Sequence, residues 1–346
     1  MSLFECFQNK KTYVIAEMSA NHAQDIKIAL QMVDEAKRSG ADCIKVQTYT
    51  PDTLTIKSKN ADFMISDGLW QGKTLYDLYS KAYLPWEWHK QIFNRCKKVG
   101  IDFLATAFDK TSVDYLVELG VDMIKIASFE AVDIPLIQYA ASKGKTLILS
   151  CGMCSFKEIE EAISACLDEK NGDIVLMKCS SEYPADPHNL NLRTIVDMNK
   201  RFGLPVGFSD HSLGTISSVV AVCLGATIIE KHFCLDKTIS TPDVEFSLDP
   251  LQFKRLVCDI RMAEASLGNI YYGVSENEEK SIVFRRSLYA VKDIDIGDSF
   301  SEENIRSIRP GYGIPPKYYF SLIGNKSRRK INCGEPISME DVEGLV

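Results

Sequence analysis

Short apolar runs alternate with longer amphipathic segments along most of the chain. In the first long segment, apolar residues recur at Ile26, Leu30, Val33 and Ala36. This spacing predicts a helix with one buried face, whereas the short runs are typical of buried strands. The predicted strands are Tyr13–Glu17, Cys43–Thr48, Phe103–Ala107, Met123–Ala127, Thr146–Ser150, Ile174–Cys179, Pro205–Phe208 and Ala226–Ile229. The predicted helices are Ile26–Ser39, Pro85–Val99, Ser112–Leu119, Ile134–Ser142, Phe156–Glu169, Leu192–Phe202, Thr215–Leu224 and Leu251–Leu267.

Eight strands and eight helices in alternation predict an α/β fold, the (β/α)8 TIM barrel. An open sheet rarely needs this many equal repeats. In such barrels the active site lies at the carboxyl ends of the strands. Residues 51–82, which follow the second strand, interrupt the alternation. We therefore expect the chemistry at one face of the barrel, with a long insertion beside it.

The pattern changes after Gly268. Ser275–Lys280 is a charged polar stretch, and short strand-like runs separated by glycine and proline follow it, as at Arg286–Asp293 and Arg306–Gly313. The sequence therefore predicts a barrel over residues 1–274, a linker over 275–284 and a small, mostly β domain over 285–346. A domain of about sixty residues is only marginally stable alone, so we expect it to pack against a partner surface.

Composition narrows the classes of function. The chain is 45% hydrophobic and 25% charged, which is typical of a soluble globular protein. A net charge of -7 argues against nucleic acid as a partner. No apolar run is long enough to span a membrane, and the first residues lack the core of a signal peptide. The 11 scattered cysteines predict reduced thiols, and thus a cytoplasmic protein.

Two histidines follow the last two strands in matching contexts. His211 ends the sequence Ser209-Asp210-His211, and His232 ends Glu230-Lys231-His232. Since neighbouring parallel strands bring their carboxyl ends together, the two imidazoles could share one ligand. Two separate histidines, each satisfied by local hydrogen bonds, are the alternative. The matched pair favours the shared site.

Polar residues follow the other strands as well, and their types suggest three kinds of chemistry. Lysines with several hydroxyls suit a phosphorylated and carboxylated small molecule. Two histidines together with Glu17, Glu130 or Asp243 suit a divalent metal that acts as a Lewis acid. Lys125 or Lys45 could instead form the Schiff base of an aldolase. The candidates at the first six strand ends are Glu17, Asn21, His22, Lys45, Gln47, Thr106, Phe108, Lys125, Ser128, Glu130, Ser150, Gly152, Ser180, Ser181, Glu182 and Tyr183.

Ordered motifs across the whole chain resemble the sialic acid synthase family. They are Ile15–Glu17 with Asn21-His22, Lys125–Ser128, Ser150–Met153, Ser181–Pro184, Gly207–His211 and Ile229–Phe233. The tail motif Arg309–Ile314 resembles that family's antifreeze-like (SAF) domain. The resemblance implies a TIM barrel followed by a SAF domain, and a condensation of phosphoenolpyruvate with an N-acetylated aldose. It also implies a divalent metal, Mn²⁺ or Mg²⁺, and a domain-swapped homodimer in which each tail caps the partner's barrel.

The same resemblance implies roles for individual residues. His211 and His232 would hold the metal, Glu130 would position or deprotonate a water molecule, and Glu17 would steady the network around the metal. The residues that would bind phosphoenolpyruvate are Lys45, Thr106, Lys125, Ser128, Ser150 and Ser209. The residues that would bind the acetamido-sugar are Gln47, Phe108, Tyr183, Asp243 and, from the tail, Arg309.

The insertion resembles one branch of that family, the pseudaminic acid synthases. The resemblance lies in Ile65–Tyr79 and Pro85–His89, and in Met18–Ala20 and Ser181, which depart from the sialic branch. An aromatic-rich insertion at the catalytic face could form a wall against a deoxy-sugar, whose methyl group is less polar than a glycerol-bearing carbon. The alternative is a structural lid indifferent to the sugar.

Other functions remain open at this point. Within the family, the competing activities are N-acetylneuraminate and legionaminate synthesis. Outside it, the barrel could be a Schiff-base aldolase, or it could be a scaffold for a tail that binds ice or carbohydrate. The polar residues at every strand end count against a mere scaffold.

Overall fold

The structure is a computed structural model that describes residues 3–67 and 70–344. The chain forms two compact units, which divide between Gly268 and Asn269. The first unit contains the predicted barrel, and the second contains the SAF-like tail. No helix within the described residues is long and apolar enough to cross a lipid bilayer.

Eight parallel strands form a closed barrel in chain order, with β1 paired to both β2 and β8. The predicted TIM barrel is confirmed. The strands are β1 Tyr13–Glu17, β2 Cys43–Thr48, β3 Asp102–Ala107, β4 Met123–Ile126, β5 Thr146–Ser150, β6 Ile174–Cys179, β7 Val206–Asp210 and β8 Ile228–His232. The helices of this unit are α1 Leu3–Gln8, α2 Ile26–Arg38, α3 Pro51–Leu54, α4 Leu75–Ala82, α5 Trp86–Val99, α6 Lys110–Leu119, α7 Ile134–Ala141, α8 Phe156–Asp168, α9 Thr194–Phe202, α10 Ile216–Cys223 and α11 Pro250–Leu267.

Local sequence signals fix the ends of these helices. The side chain of Asp109 accepts hydrogen bonds from the backbone amides of Thr111 and Ser112 and so caps α6. Gly120 ends that helix in the left-handed conformation, which glycine adopts without steric cost. Asp249 caps the start of α11 with a capping box, and Pro250 lies in the first turn of that helix. The short loops that result keep each helix against its strand.

Two apolar layers hold the barrel together. The larger lies between the strands and the surrounding helices, and it includes Val14, Ile44 and Leu176. The smaller fills the lower interior of the barrel and includes Ile15, Leu104 and Met177, among others. Since parallel strands are buried on both faces, each strand contributes alternate residues to each layer.

Strands β7 and β8 are longer than the sequence predicts. We expected them to end at Phe208 and Ile229, but they extend to Asp210 and His232. The reason is a buried ion pair on the outer face, where Lys231 Nζ lies 3.0 Å from Asp210 Oδ2. The two charges compensate each other inside the wall, so polar residues that looked like loop belong to the strands.

The insertion is ordered at both ends. It contains α3, a 3-10 turn at Ala61–Phe63 and α4, and a bridge joins Met64 to Thr74. Its motif Ile65–Tyr79 includes Gly68 and Leu69, which lie outside the described residues. The insertion thus follows β2 at the carboxyl ends of the strands, as expected.

The second unit is small and mostly irregular. Strands β9 Ser287–Ala290 and β10 Ile305–Ile308 pair antiparallel, and the one α-helix described there is α12, Tyr319–Leu322. Several single bridges extend this sheet, such as Ile294 to Ile331. The segment that we predicted as a linker, 275–284, includes a 3-10 helix at Glu279–Phe284. A core of Leu288, Phe300, Ile305, Leu322 and Ile337, with other apolar residues, stabilises the unit.

Gly207 offers a test of the barrel's packing. A Cβ atom there would lie 2.4 Å from Met177 Sδ and 2.9 Å from the carbonyl oxygen of Ile228. Because a strand backbone cannot retreat, Gly207→Ala should lower the free energy of unfolding by about 1–3 kcal/mol in urea titrations. Gly172→Ala is the control, since no atom lies within 4 Å of its Cβ position. Equal stability of the two variants would contradict the packing described.

Candidate active site

On the inner face of the barrel, every strand changes from apolar to polar toward its carboxyl end. Because strand residues alternate between faces, residues two apart share the interior. Thus Ile15 is followed on that face by Glu17, and Ile228 by Glu230 and then His232. The equivalent successions on the other strands are Cys43 to Lys45 and Gln47, Leu104 to Thr106, Met123 to Lys125, Ile148 to Ser150, Met177 to Cys179, and Gly207 to Ser209. The barrel interior therefore has an apolar lower layer and a polar upper layer.

A row of alternating charges crosses the polar layer. Lys45 Nζ lies 3.1 Å from Glu17 Oε2 and 2.7 Å from Glu230 Oε1. Lys125 Nζ lies 2.6 Å from both carboxylate oxygens of Glu230. All four side chains are buried, and two positive charges balance two negative ones. Such a row avoids the large cost of an unpaired buried charge.

The pKa values along the row follow from burial and from charge order. Burial raises the pKa of Glu17, at the end of the row, to about 7, because one lysine offsets only part of the lost hydration. Burial also opposes the ionisation of Glu230, but its two lysine partners outweigh that effect and hold its pKa well below the usual range. Burial lowers the pKa of Lys125 to about 8. Glu230 is thus the most firmly ionised member of the row.

His211 and His232 face each other beside this row, with ring centroids 5.4 Å apart. His211 Nδ1 lies 2.7 Å from the carbonyl oxygen of Ser180 and donates to it, and its other nitrogen, Nε2, lies 3.4 Å from Ser209 Oγ. His232 is buried with no hydrogen bond to Nδ1, and burial lowers its pKa well below the ordinary value. Each ring therefore has one nitrogen that no backbone group occupies.

These two imidazoles fit a divalent metal site that is open on several sides. Imidazole nitrogens are common metal ligands, and Nδ1 of buried His232 makes no hydrogen bond, with Asp243 Oδ2 3.9 Å away. Among the described residues, no group of three or more His, Cys, Asp or Glu side chains forms a complete metal cage. A metal bound by His211 and His232 would therefore take its other ligands from water and substrate.

Hydroxyl groups also line the polar layer. Ser209 Oγ donates to Glu230 Oε1 at 3.0 Å, and Ser128 Oγ donates to Cys179 Sγ at 3.3 Å. The backbone amide of Gly152 donates to Ser128 Oγ at 3.2 Å. A Cβ atom at Gly152 would lie 2.7 Å from that oxygen, so this position needs glycine. The hydroxyls of Thr106 and Ser150 are buried in the same layer.

Glu130 is half-buried, with one buried carboxylate oxygen that has no hydrogen-bond partner. It ends the 3-10 turn Ser128–Glu130 that follows β4, and its Oε2 atom has no hydrogen bond. Burial raises the pKa of this carboxyl to about 7. A carboxylate with such a pKa can both accept and release a proton near neutral pH, which suits a general base.

Gln47 and Asp243 lie at the mouth of the barrel near Glu17. Gln47 Nε2 donates to Glu17 Oε1 at 3.1 Å and to Ser19 Oγ at 3.0 Å. Asp243 is buried, and one of its oxygens accepts a hydrogen bond from the backbone amide of Ala20 at 3.3 Å. Both side chains retain polar atoms that could bind sugar hydroxyls or amides.

Aromatic side chains from the insertion reach two sides of the cleft. Tyr183 stacks on His211 with ring centroids 4.2 Å apart, and Trp70 of the insertion lies 6.3 Å from Tyr183. On the other side, Tyr79 of α4 contacts Tyr49 at 5.8 Å. Phe108 is half-buried and packs against Tyr49 at 5.2 Å. The insertion therefore borders the site with apolar surface.

Comparison with known proteins assigns this architecture. Residues 32–272 match the NeuB family, and residues 285–343 match the SAF domain. The chain belongs to the NeuB family. It is 44% identical to the pseudaminic acid synthase of Campylobacter jejuni, over 97% of this chain and 98% of that protein. It is 36% identical to the N,N'-diacetyllegionaminic acid synthase of Legionella pneumophila, over 96% and 94% of the two chains.

A solved structure agrees with this assignment. The N-acetylneuraminic acid synthetase of Leptospira borgpetersenii, crystallised with citrate, is 32% identical and superposes with a TM-score of 0.70. The match covers 79% of this chain and 91% of that one. Sequence and fold thus both show that the chain belongs to the NeuB family and combines a TIM barrel with a SAF domain. The Schiff-base aldolase and the scaffold interpretations gain no support.

Of the fifteen side chains predicted for the site, fourteen lie in the first unit, which contains the barrel. The other one, Arg309, lies in the second unit, where it is exposed. Four other strand-end candidates have structural roles instead. Asn21 Nδ2 donates to the carbonyl oxygen of Phe233, and His22 Nδ1 accepts from the amide of Gln24. Asp210 and Lys231 form the outer ion pair described above.

Sequence reasoning missed three features of the site. Glu230 was recognised as polar but was given no role, because its partner Lys125 lies 105 residues away in the chain. Cys179 was counted only as the end of a strand. Its thiol is buried, which opposes ionisation, but the contact with His211 outweighs this and lowers its pKa to about 7. The position of Trp70 was not predictable without the course of the insertion.

Glu130 should make stability depend on pH. Its folded pKa of about 7 exceeds the ordinary glutamate value, so folding favours the protonated form, and stability falls as pH rises between about 4.5 and 7. Glu130→Gln cannot ionise. The free energy of unfolding of Glu130→Gln minus that of wild type should therefore increase by roughly 2 kcal/mol between pH 5 and pH 8 in urea titrations. Glu118→Gln, at an exposed position on α6, is the control. A pH-independent difference would contradict the burial of Glu130.

Proposed function

We propose that this protein condenses phosphoenolpyruvate with 2,4-diacetamido-2,4,6-trideoxy-L-altrose to give pseudaminic acid and phosphate. The observation that carries the proposal is the 44% identity to a pseudaminic acid synthase over nearly the full length of both chains. The polar layer of the barrel supplies suitable chemistry. The enzyme would be a transferase that forms a carbon–carbon bond.

Phosphoenolpyruvate would bind to the lysines and hydroxyls of the polar layer. Lys45 and Lys125 offer ammonium groups for its carboxylate and phosphate, and Ser150 offers a hydroxyl donor. Ser128 and Ser209 would donate to the substrate by turning their hydroxyls away from Cys179 and Glu230. Thr106 lies opposite Lys125 in the strand register. The apolar layer below excludes water and so strengthens these electrostatic contacts.

His211 and His232 would hold Mn²⁺ or Mg²⁺ through their unprotonated ring nitrogens. When bound, the ion would act as a Lewis acid toward the aldehyde oxygen of the open-chain sugar. The protein's own contribution is to fix both rings, and burial of His232 disfavours the protonated form of its ring. The hydrogen bond from His211 to the carbonyl of Ser180 sets the tautomer of one ring.

Glu130 would act as the general base. In the reaction, the methylene carbon of phosphoenolpyruvate bonds to the aldehyde carbon, whose oxygen takes up a proton. Water then adds to C2, loses a proton to Glu130, and phosphate leaves with cleavage of its C–O bond. Glu130→Gln should therefore still bind both substrates but lose turnover on the order of 10²-fold. Nearly unchanged turnover would move the role of base to Glu17.

The sugar would lie between Tyr183 and Tyr49, with Gln47 and Asp243 as polar contacts. Trp70 and Tyr79 make the insertion an apolar border of that space. An apolar border suits the methyl group of a 6-deoxy sugar better than a hydroxymethyl or glycerol group. This favours pseudaminic acid synthesis over N-acetylneuraminate synthesis. Legionaminate synthesis also uses a diacetamido-trideoxy sugar and remains the second candidate, supported by the 36% identity.

A substrate panel tests the proposed function. Phosphate release from phosphoenolpyruvate should be fastest with the L-altro sugar, slower with the diacetamido-trideoxy precursor of legionaminate, and slowest with N-acetylmannosamine. A chelator should abolish activity, and Mn²⁺ should restore it. Preference for another sugar would replace the proposed substrate. Full activity after chelation would rule out the metal site.

The tail would complete the site across a domain-swapped homodimer. Phe129, Met153 and Leu213, in loops at the carboxyl ends of strands, are exposed apolar residues in the single chain. Such a rim is typical of a surface that another protein covers. We infer that the partner's tail covers it and that Arg309 contacts the acetamido group of the bound sugar.

Complementary variants test this exchange. One protomer carries Glu130→Gln and an intact tail, and the other carries an intact barrel and Arg309→Ala. Under exchange, a heterodimer purified through two different tags has one intact site and should show about half of wild-type activity. Each homodimer should be nearly inactive. A heterodimer as inactive as both parents would show that each tail serves its own barrel.

A further inference from the structure

Glu230 is a carboxylate of the polar layer that touches several groups assigned to phosphoenolpyruvate. Its Oε1 atom lies 2.7 Å from Lys45 Nζ, 2.6 Å from Lys125 Nζ and 3.0 Å from Ser209 Oγ. Its Oε2 atom lies 2.6 Å from Lys125 Nζ. Three side chains from β2, β4 and β7 thus meet on one carboxylate from β8.

These contacts leave each lysine with a free donor. An ammonium group has three N–H bonds. Lys45 donates one of them to Glu230 and forms an ion pair with Glu17 Oε2 at 3.1 Å, and Lys125 donates to both carboxylate oxygens of Glu230. At least one N–H of each lysine therefore remains for a further acceptor. The arrangement fixes both side chains while keeping one donor of each available to an anion.

Fixing the lysines in advance matters energetically. A free lysine side chain gives up rotamer entropy when it is immobilised. Two ammonium groups that share one interior would also repel each other without an anion between them. Glu230 provides that anion in the absence of substrate, so binding would require little reorganisation.

We propose that Glu230 is a positioning residue for phosphoenolpyruvate: it holds Lys45 and Lys125 at the spacing that receives the anionic groups of the substrate. Glu230 acts through these two side chains and does not touch the reacting atoms. The inference rests on the proposed function, since it takes phosphoenolpyruvate as the ligand. It adds a residue that sequence reasoning left without a role.

A purely structural ion pair would look different, and the same strand contains one. Lys231 faces outward and pairs with Asp210, whose carboxylate also accepts hydrogen bonds from the amide and hydroxyl of Ser212 and from the hydroxyl of Ser218. Lys231 Nζ also donates to the carbonyl oxygen of Ser212. This pair is closed on itself and has no side toward the barrel interior. It therefore provides a matched control.

The test compares Glu230→Gln and Glu230→Asp with Lys231→Met in the full-length protein. Glu230→Gln keeps the shape but loses the charge, and Glu230→Asp keeps the charge but shortens the reach by one methylene. Both should raise the KM for phosphoenolpyruvate at least tenfold and leave the KM for the sugar within about twofold. Lys231→Met should lower the Tm and leave both KM values near those of wild type.

Calorimetric titration of phosphoenolpyruvate alone separates the possible failures. Wild-type protein that does not bind phosphoenolpyruvate would overturn both the proposed function and this inference. Wild-type binding that both Glu230 variants match would overturn the positioning role alone. Equal increases in the KM for both substrates would also overturn it, because they would indicate general damage to the site. If Glu230→Gln does not fold, Glu230→Asp decides by itself.

Discussion

The active site depends on a set of buried charges that the barrel interior can hold only in balance. Glu17, Lys45, Glu230 and Lys125 lie in one row in which each charge has a neighbour of opposite sign. Removing one member leaves its partner buried and unpaired, which costs more than the pair itself contributes. The apolar layer beneath the row keeps water out, and that exclusion gives these charges their strength toward an anionic ligand. Histidines, hydroxyls and Glu130 are arranged around this row.

The fold was largely predictable because it follows from periodicity. Strands such as β1 and β5 have the predicted ends, since apolar runs in a parallel sheet are bounded by loop residues. The prediction failed at β7 and β8, where Asp210 and Lys231 belong to the wall of the barrel. A charged residue in a strand looks like a loop until its partner is known, and that partner lies on another strand. The turn residues of the tail likewise did not predict that its short segments would pair through single β-bridges.

The site was predictable where position along a strand decides function. Ser150, Lys125 and His232 lie at strand ends, and the barrel alone brings them together. Pairing within the site could not be predicted, because sequence separation carries no information about which side chains meet across a barrel. Thus Glu230 remained one polar residue among many, although it contacts more of the polar layer than its neighbours. The contact of Trp70 with Tyr183 depends on the path of a long insertion, which no periodic pattern describes.

The alternation of residues along the inner face limits how this protein can evolve. A loop can gain or lose residues without changing which side chains point into the barrel. One residue added within β8, by contrast, would turn Glu230 and His232 toward the helices and bring Lys231 inward. Insertions are therefore tolerated only between strands, as in residues 51–82. The polar layer is held by segments of fixed length, whereas its border is built from segments of variable length, so loops rather than strands are the segments to exchange when that border is to be redesigned.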